Sequence, residues 1–158
     1  MSNKKVVLAF SGGLDTSYCA IYLSKILNLE VHAVIVNTGG FTDIEINEIE
    51  QTAHNLGVAS FCCIDDTKNY YDTVIKYLVF GNVLKNNTYP LSVSAERISQ
   101  ATAIAKYAKN INADFVAHGS TGAGNDQVRF DAIFNILIPN IKIITPIRDQ
   151  KLSREAEI

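Results

Sequence analysis

The stretch AFSGGLDTS, Ala9 to Ser17, joins the apolar run Lys4 to Phe10 to a helix-like segment from Thr16 to Leu27. The Ser-Gly-Gly turn, Ser11 to Gly13, lacks bulky side chains, so its backbone N–H groups can face an anion. The helix opens with Asp15 to Ser17, and the amino terminus of a helix favours phosphate. This stretch therefore predicts a phosphate-binding turn between a first strand and a first helix.

The same turn differs from two common nucleotide-binding patterns. It is neither GxxxxGK[ST] nor GxGxxG, which disfavours a Walker-type NTPase and a dinucleotide-binding Rossmann domain. We expect the missing side chain at Gly12 to leave space for phosphate oxygens, and Asp15 is a candidate ligand for Mg²⁺ carried by the phosphates. A plainer interpretation makes Ser-Gly-Gly a simple turn and Asp-Thr-Ser a set of helix-capping residues. The turn alone leaves both interpretations open.

Further apolar runs alternate with helical patterns along the chain. Four more strands are predicted at Glu30 to Asn37, Ala59 to Asp65, Asp114 to His118 and Ile141 to Ile144. Helices are predicted at Asp43 to Leu56, Lys68 to Phe80, Ser94 to Ile111 and Val128 to Leu137, with a long loop at Gly81 to Val93. Nearly continuous apolar strands between helices are typical of parallel sheets covered on both faces. The predicted fold is α/β, a doubly wound five-stranded parallel sheet in one domain.

Composition limits the classes of partner. The chain has 158 residues, 14 basic and 16 acidic, for a net charge of −2. This balance predicts no binding to nucleic acid or to anionic membranes, and no apolar run approaches the roughly 18 residues of a membrane span. The amino terminus has no signal-peptide pattern, and the three cysteines lack disulfide or zinc spacing. We therefore expect a cytoplasmic protein.

A second glycine-rich segment follows the fourth predicted strand. His118 to Phe130 reads HGSTGAGNDQVRF, which places amides, hydroxyls, a carboxylate and a guanidinium where ligands bind in doubly wound folds. Asp126 can accept a hydrogen bond from a ligand ammonium, and Arg129 can grip a ligand carboxylate. An amino acid carries both an ammonium and a carboxylate, so it could bind to both side chains. The plainer interpretation is a glycine-rich turn that caps the following helix.

Two motifs carry a family resemblance. SGGLDTS resembles the PP-loop of the N-type ATP pyrophosphatases, which cleave ATP between the α- and β-phosphates. HGSTGAGNDQVRF resembles the HGxTGxGNDQVRF signature of argininosuccinate synthases, and NTGG, Asn37 to Gly40, stands between the two motifs in family order. The resemblance implies an adenine-nucleotide alpha-hydrolase-like (PP-loop ATPase), Rossmann-like fold. It covers the nucleotide-binding domain of the family.

The resemblance also implies roles for individual residues. Positions that match ATP contacts are Ala9, Phe10, Ser11, Gly12, Gly13, Leu14, Asp15, Thr16, Ser17, Val36 and Gly119, with Asp15 as the candidate Mg²⁺ ligand. Positions that match aspartate contacts are Thr121, Asn125 and Asp126. Positions that match citrulline contacts are Asn125, Arg129, Tyr89, Ser94 and Arg97. The implied reaction joins citrulline and aspartate through a citrullyl-adenylate, giving argininosuccinate, AMP and pyrophosphate.

Two other functions stay open on the sequence. Another PP-loop enzyme, such as an amidotransferase ligase or a tRNA-modifying enzyme, would keep SGGLDTS. A nucleotide-binding module without chemistry would keep the fold. The charged helical pattern at Ser153 to Ile158 stops without a cap, so we expect a truncated domain that lacks the synthetase domain of the family. The resemblance implies a homotetramer for the full-length protein only.

Overall fold

The computed structural model describes residues 4–152, so the predicted helical pattern at Ser153 to Ile158 lies outside the described residues. Five parallel strands form one sheet in the order β3-β2-β1-β6-β7. Their bounds are β1 Lys5–Ala9, β2 Glu30–Asn37, β3 Ser60–Asp65, β6 Phe115–His118 and β7 Lys142–Ile144. The predicted fold, a doubly wound five-stranded parallel sheet, is confirmed.

Helices connect the strands across both faces of the sheet. Their bounds are α1 Leu14–Ile21, α2 Asp43–Asn55, α3 Thr67–Tyr70, α4 Lys76–Phe80, α5 Ser92–Asn110, α6 Asp126–Leu137 and α7 Pro146–Gln150. Wider π-helical turns extend α1 over Tyr22–Ile26 and join α3 to α4 over Tyr71–Ile75. Helix α2 begins with a capping box, in which Thr42 and Glu45 satisfy each other's backbone N–H groups.

The core has two layers because side chains of each strand alternate between the two faces of the sheet. On one face Leu8 packs with Leu23 after α1 and with Ile147 of α7. On the other face Val7 packs with Ile104 of α5 and Phe134 of α6, and all these side chains are buried. The central strand β1 is thus covered on both sides, as its continuous apolar sequence predicts.

The order of the strands reverses between β1 and β6. Strand β1 pairs with β2 on one side and β6 on the other, so Ala9 lies opposite both Val34 and His118. The connections that leave β1 and β6 run to opposite faces of the sheet, because α1 belongs to one core layer and α6 to the other. In this type of fold a crevice opens at such a switch point, outside the carboxyl ends of the strands.

The predicted long loop at Gly81 to Val93 is wrong in part. A short antiparallel hairpin pairs β4, Leu84–Lys85, with β5, Tyr89–Pro90, and α5 already begins at Ser92. Asn86 and Asn87 both have positive φ, near 55° and 57°, which asparagine tolerates better than most residues. The two asparagines therefore supply the turn, and only three residues separate the paired positions.

Candidate functional site

A cleft of about 1260 Å³ opens at the carboxyl ends of β1 and β6. Most of the residues that the sequence singles out line it. From the first motif and β2 these are Ala9, Phe10, Ser11, Gly13, Leu14, Asp15, Thr16 and Val36. From the later segments they are Tyr89, Ser94, Arg97, Gly119, Thr121, Asn125, Asp126 and Arg129. Gly12 and Ser17 are not part of the lining.

The turn after β1 is arranged as an anion cradle. The hydroxyl oxygen of Thr16 accepts from the backbone N–H of Ser11 at 3.3 Å and donates to the carbonyl of Gly13 at 3.1 Å. The first intrahelical bond runs from the N–H of Ser17 to Gly13, so the amides of residues 14–16 lie ahead of it. Gly13 is the N-cap of α1 and no side chain caps the helix. The N–H groups of the first turn are therefore left for a ligand.

Gly12 matters for a different reason from the one the sequence suggests. Its φ is +76°, which L side chains rarely adopt, and an added Cβ would meet Cγ1 of Ile49 on α2 at 3.1 Å. The missing side chain thus makes room for α2 and allows the turn, and it does not make room for phosphate oxygens.

The two glycine-rich segments touch each other through the backbone. A Cβ added at Gly119 would lie 3.2 Å from the carbonyl carbon of Asp15 and 3.3 Å from its Cβ. No side chain fits at residue 119 unless α1 or the loop after β6 moves. This contact fixes the distance between the cradle and the second motif.

Asp15 is suited to a metal ion that arrives with a ligand. Its carboxylate lines the cleft on the first turn of α1, and no side chain of the described residues pairs with it. Mg²⁺ prefers one or two carboxylates together with phosphate oxygens and water. Residues 4–152 contain no cluster of three acidic, histidine or cysteine side chains that would hold a metal by itself. The donor set therefore fits Mg²⁺ bound through a phosphate ligand.

The NTGG segment after β2 forms the wall of the cleft next to the cradle. The side-chain oxygen of Asn37 accepts from the N–H groups of Gly39, at 2.9 Å, and Phe41, at 3.3 Å. Thr38 donates to Glu96 of α5 at 2.6 Å. Gly40 and Phe41 line the cleft as a result. The sequence singled out this motif without assigning a role to its residues.

Arginine and carboxylate side chains form a cluster at the other end of the cleft, between α5 and α6. Asp126 accepts from Arg129 at 2.8 Å and from Nε of Arg97 at 3.2 Å. Arg129 also donates to the hydroxyl of Ser94 at 2.9 Å. Glu96 lies 3.6 Å from Arg97, and sequence reasoning missed it. The cluster contains two positive and two negative groups.

The plainer capping interpretation of the second motif does not describe this arrangement. Asn125 is the N-cap of α6, yet its side chain makes no capping hydrogen bond. Its carboxamide and the hydroxyl of Thr121 line the cleft instead. Tyr89, on β5, also lines the cleft, with nearly half of its surface exposed.

A partly buried network lies beneath the glycine-rich loop. The backbone N–H of Ser120 donates to Nδ1 of His118 at 3.3 Å, so the opposite nitrogen Nε2 carries the proton that faces Asp131 at 3.0 Å. Burial lowers the pKa of His118, and the hydrogen bond with Asp131 opposes this shift without reversing it. For Asp131, burial favours the neutral acid, but the hydrogen bonds from Arg148 and His118 outweigh it and lower the pKa. The network therefore contains a neutral imidazole and an ionised carboxylate.

A second histidine lies towards the amino-terminal ends of the strands, opposite Ser60 at the start of β3. His32, where β2 begins, forms hydrogen bonds with Ser60 at 2.6 Å and with Glu30 at 3.0 Å. None of these three residues lines the cleft. The bond to Ser60 joins β2 to β3 and the bond to Glu30 stays within β2, so both contacts of this histidine are structural.

Comparison with known proteins decides the family. The Arginosuccinate synthase N-terminal HUP domain matches residues 5–158. The chain belongs to this family. It is 40% identical to the argininosuccinate synthase of Sulfurisphaera tokodaii over 154 residues, 98% of this chain and 39% of that protein. It is also 40% identical to the enzyme of Dictyoglomus turgidum over 158 residues, 100% of the chain and 39% of the relative. For a Prochlorococcus marinus enzyme, strain MIT 9515, the identity is 42% over 156 residues.

The family match confirms the resemblance drawn from the two motifs. It separates this chain from the other PP-loop enzymes that SGGLDTS alone left open. The chain spans about two-fifths of the length of these relatives. Within residues 4–152, no helix combines the length and the apolar character needed to cross a membrane.

Proposed function

We propose that this chain supplies the nucleotide-binding part of an argininosuccinate synthase, which joins citrulline and aspartate at the expense of ATP. The observation that carries the proposal is one continuous cleft with the anion cradle at one end and the Arg97–Asp126–Arg129 cluster at the other. The end with the anion cradle suits a triphosphate, and the end with the charged cluster suits zwitterionic amino acids. Membership of the family supports the pairing of these substrates.

The proposed first step is the formation of an adenylate. The ureido oxygen of citrulline attacks the α-phosphate of ATP, the bond to the β-phosphate breaks, and pyrophosphate leaves towards the turn at residues 11–17. Free N–H groups at the start of α1 stabilise the negative charge on the leaving group. Val36, buried at the end of β2 and part of the lining, forms an apolar wall for the adenine.

The proposed second step uses the other end of the cleft. The amine of aspartate attacks the activated carbon of the citrullyl-adenylate, and AMP leaves. Thr121, Asn125 and Asp126 hold aspartate in this scheme, and Asp126 attracts its ammonium. Citrulline contacts Asn125, Arg129, Ser94, Arg97 and Tyr89. No side chain of the described residues stands out as a general base, so orienting the reactants is the main contribution of this chain.

Mg²⁺ belongs to the proposal as a companion of ATP. Asp15 would hold it, because this carboxylate lies on the first turn of α1 beside the phosphate-binding amides. The ion would neutralise charge on the phosphate oxygens. As sites of binding, the ATP, aspartate and citrulline residues named here stay predictions.

We further propose that residues 1–158 act as one nucleotide-binding domain whose cleft is completed by a second domain of the family. The cleft is open to solvent at Leu14 and Tyr89, which are 42% and 48% exposed. An adenylate in an open cleft is accessible to water. We therefore expect the chain alone to bind nucleotide without turning over citrulline and aspartate. We also propose a cytoplasmic location, where ATP and both amino acids are present.

The test is calorimetric titration of the chain with Mg·ATP, followed by competition with pyrophosphate. We expect both to bind, and Gly12→Val to abolish binding because the turn cannot keep a φ of +76° and the added methyl groups meet Ile49. Gly57→Val is the matched control, because Gly57 also has a positive φ, +89°, and is not part of the cleft lining. Equal ATP affinity in the natural chain and in folded Gly12→Val would refute the cradle.

Turnover is assayed separately by pyrophosphate release and argininosuccinate formation from Mg·ATP, citrulline and aspartate. Turnover by the chain alone at the rate of a full-length relative would contradict the need for a second domain. ATP binding without any effect of citrulline or aspartate on it would favour a nucleotide-binding module without chemistry.

A further inference from the structure

The glycine-rich loop after β6 has little backbone support. Residues 120–124 make no backbone–backbone hydrogen bond to other described residues. Yet Thr121 and Gly124 line the cleft, and so do Asn125 and Asp126 immediately after them. Something other than regular secondary structure must hold this loop in one conformation.

Side chains from α6 and α7 supply that support. The amide nitrogen of Gln127 donates to the carbonyl of Gly122 at 2.6 Å. The oxygen of the same amide accepts from Nη1 of Arg148 at 3.1 Å. Both ends of the Gln127 amide are thus engaged, which orients it against the middle of the loop.

Arg148 connects this contact to a second one at the start of the loop. Its Nη1 also donates to Asp131 at 2.6 Å, and Asp131 faces His118, which accepts from the N–H of Ser120. Nε of Arg148 donates to Thr145 at 3.2 Å, which fixes the guanidinium at the start of α7. One guanidinium therefore reaches the loop at two points, Ser120 and Gly122, through two different paths.

The location of Arg148 separates it from direct ligand binding. It is not part of the cleft lining, whereas Gln127 and His118 are. Its stem lies 3.8 Å from the place where a Cβ of Gly122 would be, on the side of the loop that faces α7. An effect of Arg148 on ligand binding would have to pass through the loop.

We propose that Arg148 is a positioning residue, which acts through Gln127 and through the Asp131–His118 pair to hold the glycine-rich loop in its binding conformation. The functional consequence, for ATP and aspartate, rests on the proposed function. The positioning itself does not, because it is a property of the chain without ligand. The partially buried, charge-assisted contact between Arg148 and Asp131 is the strongest bond in this set.

The decisive experiment measures ¹⁵N order parameters in the unliganded protein for Gly119, Gly122 and Gly124. We expect values near those of rigid backbone, about 0.85, in the natural chain and below about 0.6 in Arg148→Met. Amides of β1 and β2 should be unchanged. Lys142→Met, at an exposed position on β7, is the matched control for loss of one positive charge.

Two further variants test whether the loss of order comes from the contacts of Arg148 with Asp131 and Gln127. Arg148→Lys should restore loop order, because one ammonium can replace the single Nη1 that contacts both Asp131 and Gln127. Gln127→Ala should loosen Gly122 by itself, and adding it to Arg148→Met should have little further effect there. Unchanged order parameters in Arg148→Met would overturn the proposal whatever Gln127→Ala does, and so would a loss of order spread equally over the sheet.

The dissociation constant for aspartate, measured with Mg·ATP present, links the positioning to function. We expect Arg148→Met to raise it about tenfold, the effect of losing a hydrogen bond or two, and Arg148→Lys to restore it. If the natural chain binds neither ligand, the proposed function fails while the order parameters still decide the positioning role. A disordered loop with unchanged ligand affinity would overturn the functional half of the inference.

Discussion

The cradle at residues 9–17 and the glycine-rich loop at residues 118–126 line the same cleft and are built in different ways. The cradle is part of a strand-to-helix turn, and the positive φ of Gly12 together with the first turn of α1 sets its shape. The loop makes few backbone contacts and depends on Gln127, Arg148 and His118. A backbone-built site changes most when a glycine is replaced, and a side-chain-built site changes most when a polar group is removed.

After Gly12→Val, the largest effect should come from the position where both regions meet. Gly119→Val places atoms within about 3.3 Å of the backbone of Asp15, so α1 and the loop must separate. We expect Mg·ATP affinity to fall at least a hundredfold, and overpacking to cost about 1–3 kcal/mol of unfolding free energy. Calorimetry and urea denaturation measure the two effects. Natural affinity in Gly119→Val would mean that the two regions are independent.

Removal of charge at the far end of the cleft should have the next largest effect. Arg129→Ala should weaken citrulline binding by about 1.5–3 kcal/mol, and Asp126→Ala should weaken aspartate binding more than ATP binding. Because the two side chains contact each other at 2.8 Å, the double variant should not be additive. Titrations with each ligand on the Mg·ATP-loaded chain check this. Equal effects of both changes on all three ligands would indicate a purely structural cluster.

The pH dependence of stability tests the network beneath the loop. Because burial lowers the pKa of His118, the unfolded chain takes up a proton near pH 6.5 while the folded chain does not. The free energy of unfolding should therefore fall as the pH drops below about 6.5. Asp131, Arg148 and Asp149 are the charged groups near this imidazole, and the hydrogen bonds from Arg148 and His118 lower the pKa of Asp131 despite its burial.

Two variants check that assignment by chemical denaturation between pH 7.5 and pH 5. His118→Gln should flatten the slope of the unfolding free energy against pH. His54→Gln, at an exposed position on α2, is the matched control and should keep it. An unchanged slope in His118→Gln would contradict the neutral, buried imidazole.

The smallest effect is expected from a side chain within the cradle. Thr16→Val removes the hydroxyl that bonds Ser11 and Gly13 but keeps the shape of the residue. Both hydrogen bonds are long, so each contributes about 0.5 kcal/mol, and ATP affinity should fall roughly fivefold. A loss as large as that of Gly119→Val would mean that side chains hold the cradle as well, and the contrast between the two regions would disappear.

The sequence predicted the parallel sheet well because its strands are rich in apolar residues, and the central strand β1 and its neighbours β2 and β6 are mostly buried. Helix α2 was accurate to a residue at its start, since the capping box at Thr42 is a local signal. The hairpin at β4 and β5 was missed, although Asn86-Asn87 is a turn signal, because two-residue strands have no periodicity. The π-helical turns were missed because apolar spacing does not distinguish them from α-helix.

The candidate site was predicted as a set of residues and not as a set of contacts. Asp126 stays a predicted contact for a ligand ammonium, whereas its hydrogen bonds with Arg97 and Arg129 were not predicted. Glu96 and Arg148 were missed because their partners lie 58 and 17 residues away, at Thr38 and Asp131. Long-range polar contacts of this kind have no local pattern in the sequence.

The pairing of Arg97 and Arg129 with Asp126 and Glu96 has a kinetic consequence. Two positive and two negative charges cancel at a distance, and ions in solution screen what remains beyond about 8–10 Å. The far end of the cleft therefore exerts almost no pull on a diffusing amino acid. Citrulline and aspartate should arrive at rates that hardly vary with ionic strength, while the binding free energy develops only after the ligand displaces the contacts that the cluster makes with itself.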